Sequence, residues 1–348
     1  MRVLFSPDAF VNQRFGGVSR YFTELHTELV ELGIDAKIFP GLHDNAYVPG
    51  GRTKLPCKVP QRLRLSLSSQ AFRAYVVGQR GAHILHPTYY SAKAFGRQPQ
   101  VCTFYDLIHF RYPQQFTNDR TAERQRIWAR RADRIIAISH STARDLVSML
   151  DVPEDKISVV HLGVRVPRIP AQRNADTYVM YVGKRGGYKN WRIVVDALQD
   201  PQLAELRLVC SGGGPATPEE KALLENRRMA DRVSFVATDD TTLRRLYRGA
   251  LGLVYPSLYE GFGLPPLEAM ALGVPVVAAR AASIPEVVGD DALLFDPHET
   301  DDLIHALRRL LDTATREELE RRGPLRARMF SWERTARQTV EVYRSLLR

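Results

Sequence analysis

Short apolar runs alternate with amphipathic segments and turn residues along most of the chain. In the first forty residues, the run at 3–5 precedes the pair Gly16-Gly17, the segment 20–32 has helical spacing, and 34–39 is again extended. The order of strand, glycine loop, helix and strand is the unit of a parallel sheet. Further strands are predicted in this half of the chain at 84–85, 101–104, 135–138 and 157–160.

A second series of the same kind follows a stretch without periodicity. Residues 166–176 hold two prolines and several polar residues, a composition typical of an interdomain linker. Beyond them, short apolar or β-branched runs separated by helical patterns predict strands at 178–182, 207–210, 233–236, 252–255 and 274–278. This rhythm predicts a second parallel sheet with helices on both faces.

The last segment, 332–347, has the spacing of one amphipathic helix. Its apolar stripe consists of Trp332, Ala336, Val340, Tyr343 and Leu347. We therefore predict an α/β protein with a doubly wound domain at 1–166, a linker at 167–176 and a second such domain at 177–330. The helix at about 331–348 is expected to pack back on the first domain. Sheets of this type bind ligands at the carboxyl ends of their strands, so the expected site is a cleft between the domains.

Composition agrees with a folded protein of about two domains. The chain has 348 residues, of which 44% are hydrophobic and 25% charged. Apolar runs stay short of the ~18–20 residues that a membrane helix needs, and the first residues lack the sections of a signal peptide, so a cytoplasmic location is expected. The three cysteines, Cys57, Cys102 and Cys210, are odd in number and far apart, which favours neither a disulfide framework nor a zinc site.

The chain is basic, with 49 Lys and Arg against 39 Asp and Glu and a formal charge of +10. This balance favours a polyanion, an anionic membrane surface or a phosphorylated ligand, and charge alone does not choose among them. A solvated helix face is the simpler explanation of the densest cluster of arginines. That cluster consists of Arg120, Arg124, Arg126, Arg130, Arg131 and Arg134.

The most informative motif follows the strand predicted at 252–255. Gly261 and Gly263 let the backbone approach a ligand closely, and the prolines after them suit the first turn of a helix. A helix N-terminus favours an anion such as a phosphate, yet two acids, Glu260 and Glu268, flank this one. A ligand that carries hydroxyls as well as phosphates resolves the conflict, because carboxylates accept hydrogen bonds from hydroxyls. The alternative is a helix-capping Glu260 and a surface Glu268.

The segment Glu260-Gly-Phe-Gly-Leu-Pro-Pro-Leu-Glu268-Ala-Met resembles the two-glutamate signature of retaining glycosyltransferases of family four. These enzymes have the GT-B fold, in which two Rossmann-like domains face each other across a cleft. Within the family, the chain looks most like bacterial mannosyltransferases that build surface polysaccharides such as lipopolysaccharide. The resemblance runs nearly end to end. Its other pieces are Gly16-Gly17-Val18-Ser19-Arg20-Tyr21, Tyr105-Asp106-Leu107, Ala137 to Asp145, Tyr181 to Asn190, and Phe330-Ser-Trp332.

The resemblance implies a role for each matched residue of the donor site. Glu260 would hold hydroxyls of the transferred sugar, and Glu268 would accept a hydrogen bond from the nucleotide ribose. Lys189 would neutralise the diphosphate, with Lys184 or Arg185 as its partner, although solvated turn lysines remain an alternative. The backbone at Gly261, Phe262, Gly263 and Leu264 would contact the sugar and diphosphate.

In the first domain, expected to bind the acceptor, the resemblance implies that a phosphate or the transferred sugar approaches the backbone at Gly16 and Gly17. A plain turn before a helix is the alternative. Tyr105 stands where the family often has a histidine, so Asp106 and His109 are candidates for acceptor positioning or proton acceptance. Each of these two could equally be a structural hydrogen-bonding group.

A carboxylate nucleophile with a separate acid does not suit Glu260 and Glu268. If one helix carried both, eight positions would separate them by ~12 Å of rise. The resemblance instead implies front-face substitution with retention and without a metal or other cofactor.

We expect transfer of a hexose, with mannose from GDP-mannose as the first candidate, to a saccharide acceptor. A lipid-linked saccharide is one form that this acceptor could take. The enzyme would then make peripheral contact with an anionic membrane at its inner face. Alternatives are a UDP-sugar donor, a GT-B epimerase or phosphorylase, and a non-catalytic protein that binds nucleic acid through its arginines.

Overall fold

The structure is a computed structural model that describes residues 1–48, 59–79, 83–91, 97–167 and 176–347. Its contacts divide the chain into two compact units, which are treated one by one below. Unit 1 is Met1–Gly163 with Trp332–Arg348, and unit 2 is Val164–Ser331. Unit 1 thus ends three residues before the predicted boundary at 166. Most of the linker predicted at 167–176, and Cys57, lie outside the described residues.

Twelve strands are numbered here in chain order over the described residues. They are β1 (Arg2–Phe5), β2 (Asp35–Ile38), β3 (His83–His86), β4 (Val101–Phe104), β5 (Arg134–Ala137), β6 (Ile157–Val159), β7 (Tyr178–Val182), β8 (Arg207–Ser211), β9 (Val233–Val236), β10 (Gly252–Tyr255), β11 (Val276–Ala279) and β12 (Leu293–Phe295).

Fourteen α-helices lie in the same described part. They are α1 (Asp8–Asn12), α2 (Gly17–Glu31), α3 (Gln61–Gly78), α4 (Ile108–Arg111), α5 (Thr121–Arg131), α6 (His140–Leu150), α7 (Trp191–Ala197), α8 (Pro218–Asn226), α9 (Asp240–Gly249), α10 (Leu264–Ala271), α11 (Ile284–Val288), α12 (Thr300–Leu311), α13 (Thr313–Ala327) and α14 (Trp332–Ser345). None of these helices is both long and apolar enough to span a membrane.

Unit 1 contains two three-stranded parallel sheets, β2-β1-β3 and β4-β5-β6. A single parallel bridge between Leu85 and Gln100 connects them. Strands β3 and β4 are buried along their whole length, which explains why neither shows a two-residue alternation of apolar and polar positions in the sequence. The core beneath them includes Phe104, Trp128 and Ile135.

The chain returns to unit 1 through α14. This helix packs on α2, and the hydroxyl of Thr335 donates to the carbonyl of His161 at 2.8 Å. Trp332, Ala336, Val340 and Tyr343 of the predicted stripe are buried, whereas Leu347 lies past the helix end and is 46% exposed. The stripe therefore predicts the buried face over four of its five positions.

Unit 2 is one six-stranded parallel sheet with the order β12-β11-β10-β7-β8-β9. This order reverses at β7 and β10, which is the topological switch point where doubly wound sheets bind ligands. Both strands end at the loops that the sequence marks as functional. The predicted fold class, two Rossmann-like domains, is confirmed, while strand β12 was not predicted. Cys102 and Cys210 are free thiols and buried.

Candidate active site

The centre of the candidate site in unit 2 is an ion pair between two loops. The ammonium of Lys189, in the loop after β7, donates to Oε1 of Glu260, in the loop after β10, at 2.6 Å. The two side chains are only 16% and 14% exposed. An ion pair so largely removed from water needs good geometry to repay its desolvation, and replacing one partner leaves a costly charge.

Two aromatic rings surround the Lys189 ammonium. It lies 5.3 Å from the ring centre of Tyr188 and 5.7 Å from that of Tyr255. Burial, and next the negative charge of Glu260, raise the pKa of Tyr255 well above its usual range. Tyr255 therefore stays neutral, and its electron-rich face stabilises the cation.

The segment from Glu260 to Gly263 is held in one conformation. Gly263 has φ +103°, and a Cβ at this position would lie 2.9 Å from Cδ1 of Ile284, so only glycine fits without strain. The buried hydroxyl of Ser283 reaches the carbonyl oxygens of Glu260 and Phe262 at 2.8 and 3.0 Å. These contacts fix the backbone that presents the Glu260 carboxylate.

Helix α10 begins at Leu264, directly after this loop, and its cap residue Gly263 provides no side chain. The next two residues, Pro265 and Pro266, have no N–H group, so they remove two of the donors expected at a helix N-terminus. The N–H groups that this end can present are therefore those of Leu264 and of the glycine-rich loop before it. The positive end of the helix dipole remains.

Glu268 lies in the second turn of α10 and is half-buried. Because the helix starts at Leu264, Glu260 lies in the loop outside it. The condition for ~12 Å of helical rise, that one helix carries both acids, is therefore not met: only the four steps from Leu264 to Glu268 are helical. The positive φ of Gly263 is the physical reason why the helix does not extend back to Glu260.

The two candidate partners of Lys189 occupy different environments. Lys184 is exposed at the start of the loop after β7, whereas the side chain of Arg185 is 1% exposed. Nε of Arg185 donates to Oε1 of Glu220 at 2.9 Å, and its terminal nitrogens donate to the carbonyls of Gly212 and Gly214 at 2.6 and 3.0 Å. The structure thus places Arg185 under the loop after β8.

That loop depends on glycine. Gly212, Gly213 and Gly214 have φ values of +90°, +74° and +77°, a left-handed run that side chains disfavour. Their carbonyls converge on the Arg185 guanidinium, whose five N–H groups suit such a cluster of acceptors. Arg185 acts here as the support of a neighbouring loop.

In unit 1, Gly16 and Gly17 begin α2. A Cβ on Gly16 would overlap the side-chain amide of Gln13, whereas a Cβ on Gly17 would meet no atom within 4 Å. Oε1 of Gln13 accepts from the backbone N–H of Ser19 at 3.2 Å, so Gln13 satisfies one donor of the first turn. The open backbone of Gly17 leaves room for a ligand.

Asp106 and His109 follow β4. Oδ1 of Asp106 accepts from the N–H of Ile108 at 3.0 Å, where α4 begins. Nε2 of His109 lies 3.2 Å from Oδ2 of Asp119, and its ring packs at a tilt against that of Phe116, with the ring centres 4.3 Å apart. Both residues thus have structural partners.

Tyr105, which precedes them, is also enclosed. Its hydroxyl is buried without a hydrogen-bond partner among the described residues, and burial raises its pKa well above the usual range. Its ring lies edge-on to Tyr21 at 5.8 Å. A neutral phenol in this position can donate a hydrogen bond but is no base.

Sequence reasoning missed three residues that shape the site in unit 2. Ser283 holds the Glu260 loop, and Tyr255 encloses the ammonium of Lys189. Asn190 adopts a left-handed conformation at φ +53° and donates to the carbonyl of Pro297 at 2.8 Å, which anchors the lysine loop. Only Asn190 carried a recognisable signal, since asparagine is enriched at left-handed positions before a helix.

Two family models together cover most of the chain. The model described as "Glycosyltransferase Family 4" matches residues 15–168, and the model described as "Glycosyl transferases group 1" matches residues 166–326. The first match lies largely in unit 1 and the second in unit 2.

Curated relatives agree with these matches. The chain is 30% identical to the O-antigen chain mannosyltransferase B of Escherichia coli, an alignment that covers 99% of this chain and 100% of that protein. It is 29% identical to the D-inositol 3-phosphate glycosyltransferase of Salinispora tropica, over 94% and 80% of the two proteins.

Solved structures share the fold. The sucrose-phosphate synthase of Thermosynechococcus elongatus superposes with a TM-score of 0.78 at 23% identity, covering 99% of this chain and 98% of that one. Anabaena HepE in complex with UDP-glucose superposes with a TM-score of 0.76 at 17% identity, over 99% and 100%. At these identities the likeness concerns the fold alone.

Proposed function

Because the chain belongs to the family 4 glycosyltransferases, we propose that it transfers mannose from GDP-mannose to a saccharide acceptor, with retention of the anomeric configuration. The acceptor would be a growing bacterial surface polysaccharide. The observation that carries this proposal is the Lys189–Glu260 pair beside the N-terminus of α10. It combines, within one largely buried site, a cation for phosphate and a carboxylate for sugar hydroxyls.

The donor's charge distribution matches these groups. When the glycosidic bond breaks, the diphosphate gains negative charge, so cations and N–H groups placed beside it stabilise the transition state more than the ground state. Lys189 and the exposed Lys184 would supply that charge, while the N–H of Leu264 and the dipole of α10 add to it. Glu260 would accept hydrogen bonds from the sugar, and Glu268 from the ribose.

The proposed step is a front-face substitution. The bond between the anomeric carbon and the β-phosphate oxygen breaks, an acceptor hydroxyl oxygen bonds to the same face of that carbon, and the hydroxyl proton passes to the departing phosphate. The step requires no protein nucleophile and no metal or other cofactor.

Two relatives' descriptions favour mannose. The E. coli relative that aligns with this chain over its whole length is described as a mannosyltransferase. So is the serotype-specific mannosyltransferase WbdA of E. coli, which is 27% identical over 71% of this chain. A UDP-sugar donor is the second candidate, since HepE has the same fold and binds UDP-glucose.

We also propose peripheral contact with the inner face of the cytoplasmic membrane. Helix α3 exposes Leu63, Leu67 and Val77 by 50%, 45% and 81%, at positions that share one helical face. Its charged residues are Arg62, Arg64 and Arg73, and it has no acid. An apolar stripe flanked by arginines matches an anionic lipid surface.

Donor titration tests the first proposal. We expect calorimetry with GDP-mannose and with UDP-glucose to detect binding of the first, and product NMR to show an α linkage from the α-linked donor. Glu260→Gln should lower turnover about 10²–10³-fold with the fold intact. Glu341→Gln, at an exposed ion pair of α14, should leave turnover unchanged. Absence of GDP-mannose binding would refute the proposed donor, and absence of binding to both donors would also refute the UDP-glucose alternative.

The membrane proposal and the nucleic-acid alternative have separate tests. Sedimentation with phosphatidylglycerol vesicles should fall when Leu63 and Leu67 are both changed to Ser, and equal sedimentation of the variant would contradict a role of α3. A nucleic-acid-binding protein would instead show strongly salt-dependent DNA or RNA binding that survives Glu260→Ala.

A further inference from the structure

A polar cleft of about 720 Å³ lies within unit 1. Its walls come from α1, from α3, from the loop after β3 and from the beginning of α5. Strands β1 and β3 are parallel neighbours, and both end at this cleft. In such sheets ligands bind at the carboxyl ends of strands, and the cleft has the volume of a small-molecule site.

The cleft is predominantly positive. Four arginines line it against two acids, Asp8 and Asp119; the arginines are Arg62, Arg73, Arg120 and Arg124. Arg120 is held by Glu123 at 2.8 Å. The other three form no salt bridge with any carboxylate in the described part of the chain.

The two acids are already engaged. Asp119 accepts from the N–H and hydroxyl of Thr121 and lies against His109. The buried carboxyl of Asp8 accepts from the hydroxyl of Ser6. Burial raises the pKa of Asp8 to about 6, an effect that Arg124 partly offsets. Hydrogen bonds leave a carboxylate charged, so the two acids offset part of the positive charge, and the cleft keeps the excess of four arginines over two acids among the described residues.

We propose that this cleft binds a phosphate group, carried by a saccharide or by a lipid headgroup, through Arg62, Arg73 and Arg124. Guanidinium groups bind phosphate oxygens in pairs of parallel hydrogen bonds, which makes arginine the residue of choice for this anion. The remaining wall suits a sugar: the rings of Tyr89 and Tyr90, 5.0 Å apart, offer an apolar surface, and Asp8 an acceptor for hydroxyls.

This inference rests on the proposed function, because it takes the ligand of the cleft to be the acceptor of the transfer reaction. It adds that the acceptor carries a negatively charged phosphate. Helix α3 has one face in the cleft, through Arg62 and Arg73, and exposes its apolar stripe beside them. The phosphate could therefore belong to a membrane lipid headgroup or to a soluble phosphorylated saccharide. The chemistry is the same, and the experiment separates the two sources.

The test uses the full chain with the donor site filled by a saturating nucleoside diphosphate. One arm titrates mannose 1-phosphate by calorimetry, and the other sediments the protein with phosphatidylglycerol vesicles and with neutral phosphatidylcholine vesicles. Arg73→Gln and Arg124→Gln should each weaken binding at least tenfold. Arg130→Gln, an exposed arginine of α5 outside the cleft, is the matched control and should weaken it less than twofold.

Each outcome decides a point. Binding of the sugar phosphate assigns the cleft to a soluble acceptor, and vesicle binding that is sensitive to Arg73 and Arg124 assigns it to a lipid headgroup. No binding in either arm, or equal losses with Arg130→Gln, overturns the proposal. Binding of the nucleoside diphosphate is titrated in each protein before the second ligand is added, so failure of the donor site appears separately. The thermal unfolding midpoints of Arg73→Gln and Arg124→Gln should equal that of the unsubstituted protein, which would exclude misfolding as the cause of weaker binding.

Discussion

The ammonium of Lys189 lies 2.6 Å from Oε1 of Glu260, although 71 positions separate these residues in the chain. The pair closes the loop after β7 on the loop after β10, at the switch point of the sheet. In the absence of donor, each charge compensates the other. Donor binding would require Lys189 to engage phosphate and Glu260 to engage sugar hydroxyls.

Substitution of Glu260 and substitution of Lys189 should therefore have opposite effects on the affinity for a nucleoside diphosphate. Glu260→Gln releases Lys189 and removes a negative charge, so a nucleoside diphosphate should bind at least as tightly, while turnover falls about 10²–10³-fold. Lys189→Met should weaken nucleoside diphosphate binding tenfold or more. It should also cost about 3 kcal/mol of unfolding free energy, because it leaves a largely buried carboxylate unpaired.

Calorimetry and urea unfolding of the single variants and of the double variant measure these effects. The double variant should recover most of the stability lost in Lys189→Met, since no unpaired charge remains. Additive losses in the double variant would show that the two side chains do not compensate each other.

Lys184 and Arg185 are adjacent in the chain, but their substitution should impair different properties: donor binding for Lys184 and stability for Arg185. Arg185→Lys keeps the charge but loses most of the hydrogen bonds to the glycine loop, so the unfolding free energy should fall by about 3 kcal/mol. Lys184→Ala changes an exposed side chain and should leave stability within about 0.5 kcal/mol while weakening donor binding. Thermal unfolding together with donor titration checks both. Unchanged donor affinity in Lys184→Ala would remove Lys184 from the diphosphate site.

The fold was largely predictable, for a physical reason. Strands of a parallel sheet are buried on both faces, so β4, β7 and β10 stand out as continuous apolar runs. Strand β12 was not predicted; its three residues, Leu293–Phe295, directly follow the turn at 290–292.

The residues of the candidate site could be predicted from the sequence, but the contacts between them could not. The glycines and prolines around Glu260 indicated a ligand-binding loop, since their backbone requirements are local. The support of that loop by Ser283 and the placement of Arg185 were not predictable. Arg185 binds mainly backbone carbonyls of Gly212 and Gly214, which have no side chain to mark the contact. Lys189 and Glu260 come together only through sheet topology.

Gly16 and Gly17 offer a matched pair of substitutions. Gly17→Ala meets no neighbouring atom and lies in the first turn of α2, so stability should stay equal or rise by up to about 1 kcal/mol. If a ligand approaches this backbone, the added methyl should lower kcat/KM about tenfold or more. Gly16→Ala displaces Gln13 from the N–H of Ser19 and should cost about 1 kcal/mol. Unaltered kcat/KM in Gly17→Ala would exclude ligand contact at that residue.

His86 should make unit 1 sensitive to acid. Its ring is fully buried in β3, 2.6 Å from the hydroxyl of Tyr343 and 2.8 Å from that of Thr103, and burial lowers its pKa to about 3. In the unfolded chain a histidine takes up a proton below about pH 6.5, whereas the folded protein binds it only near pH 3. Stability from this residue is therefore complete above pH 6.5 and declines as the pH falls towards 3.

Between pH 6.5 and pH 4.5 the expected loss from His86 is about 2–3 kcal/mol, at 1.36 kcal/mol for each pH unit. His86→Asn removes the titrating ring, so its unfolding free energy should change less over this interval, whatever its value at pH 7. Urea unfolding of both proteins across the interval gives the two slopes. Parallel slopes would mean that the imidazole is already protonated in the folded protein or remains accessible to protons, which contradicts its enclosure between β4 and α14 by Thr103 and Tyr343.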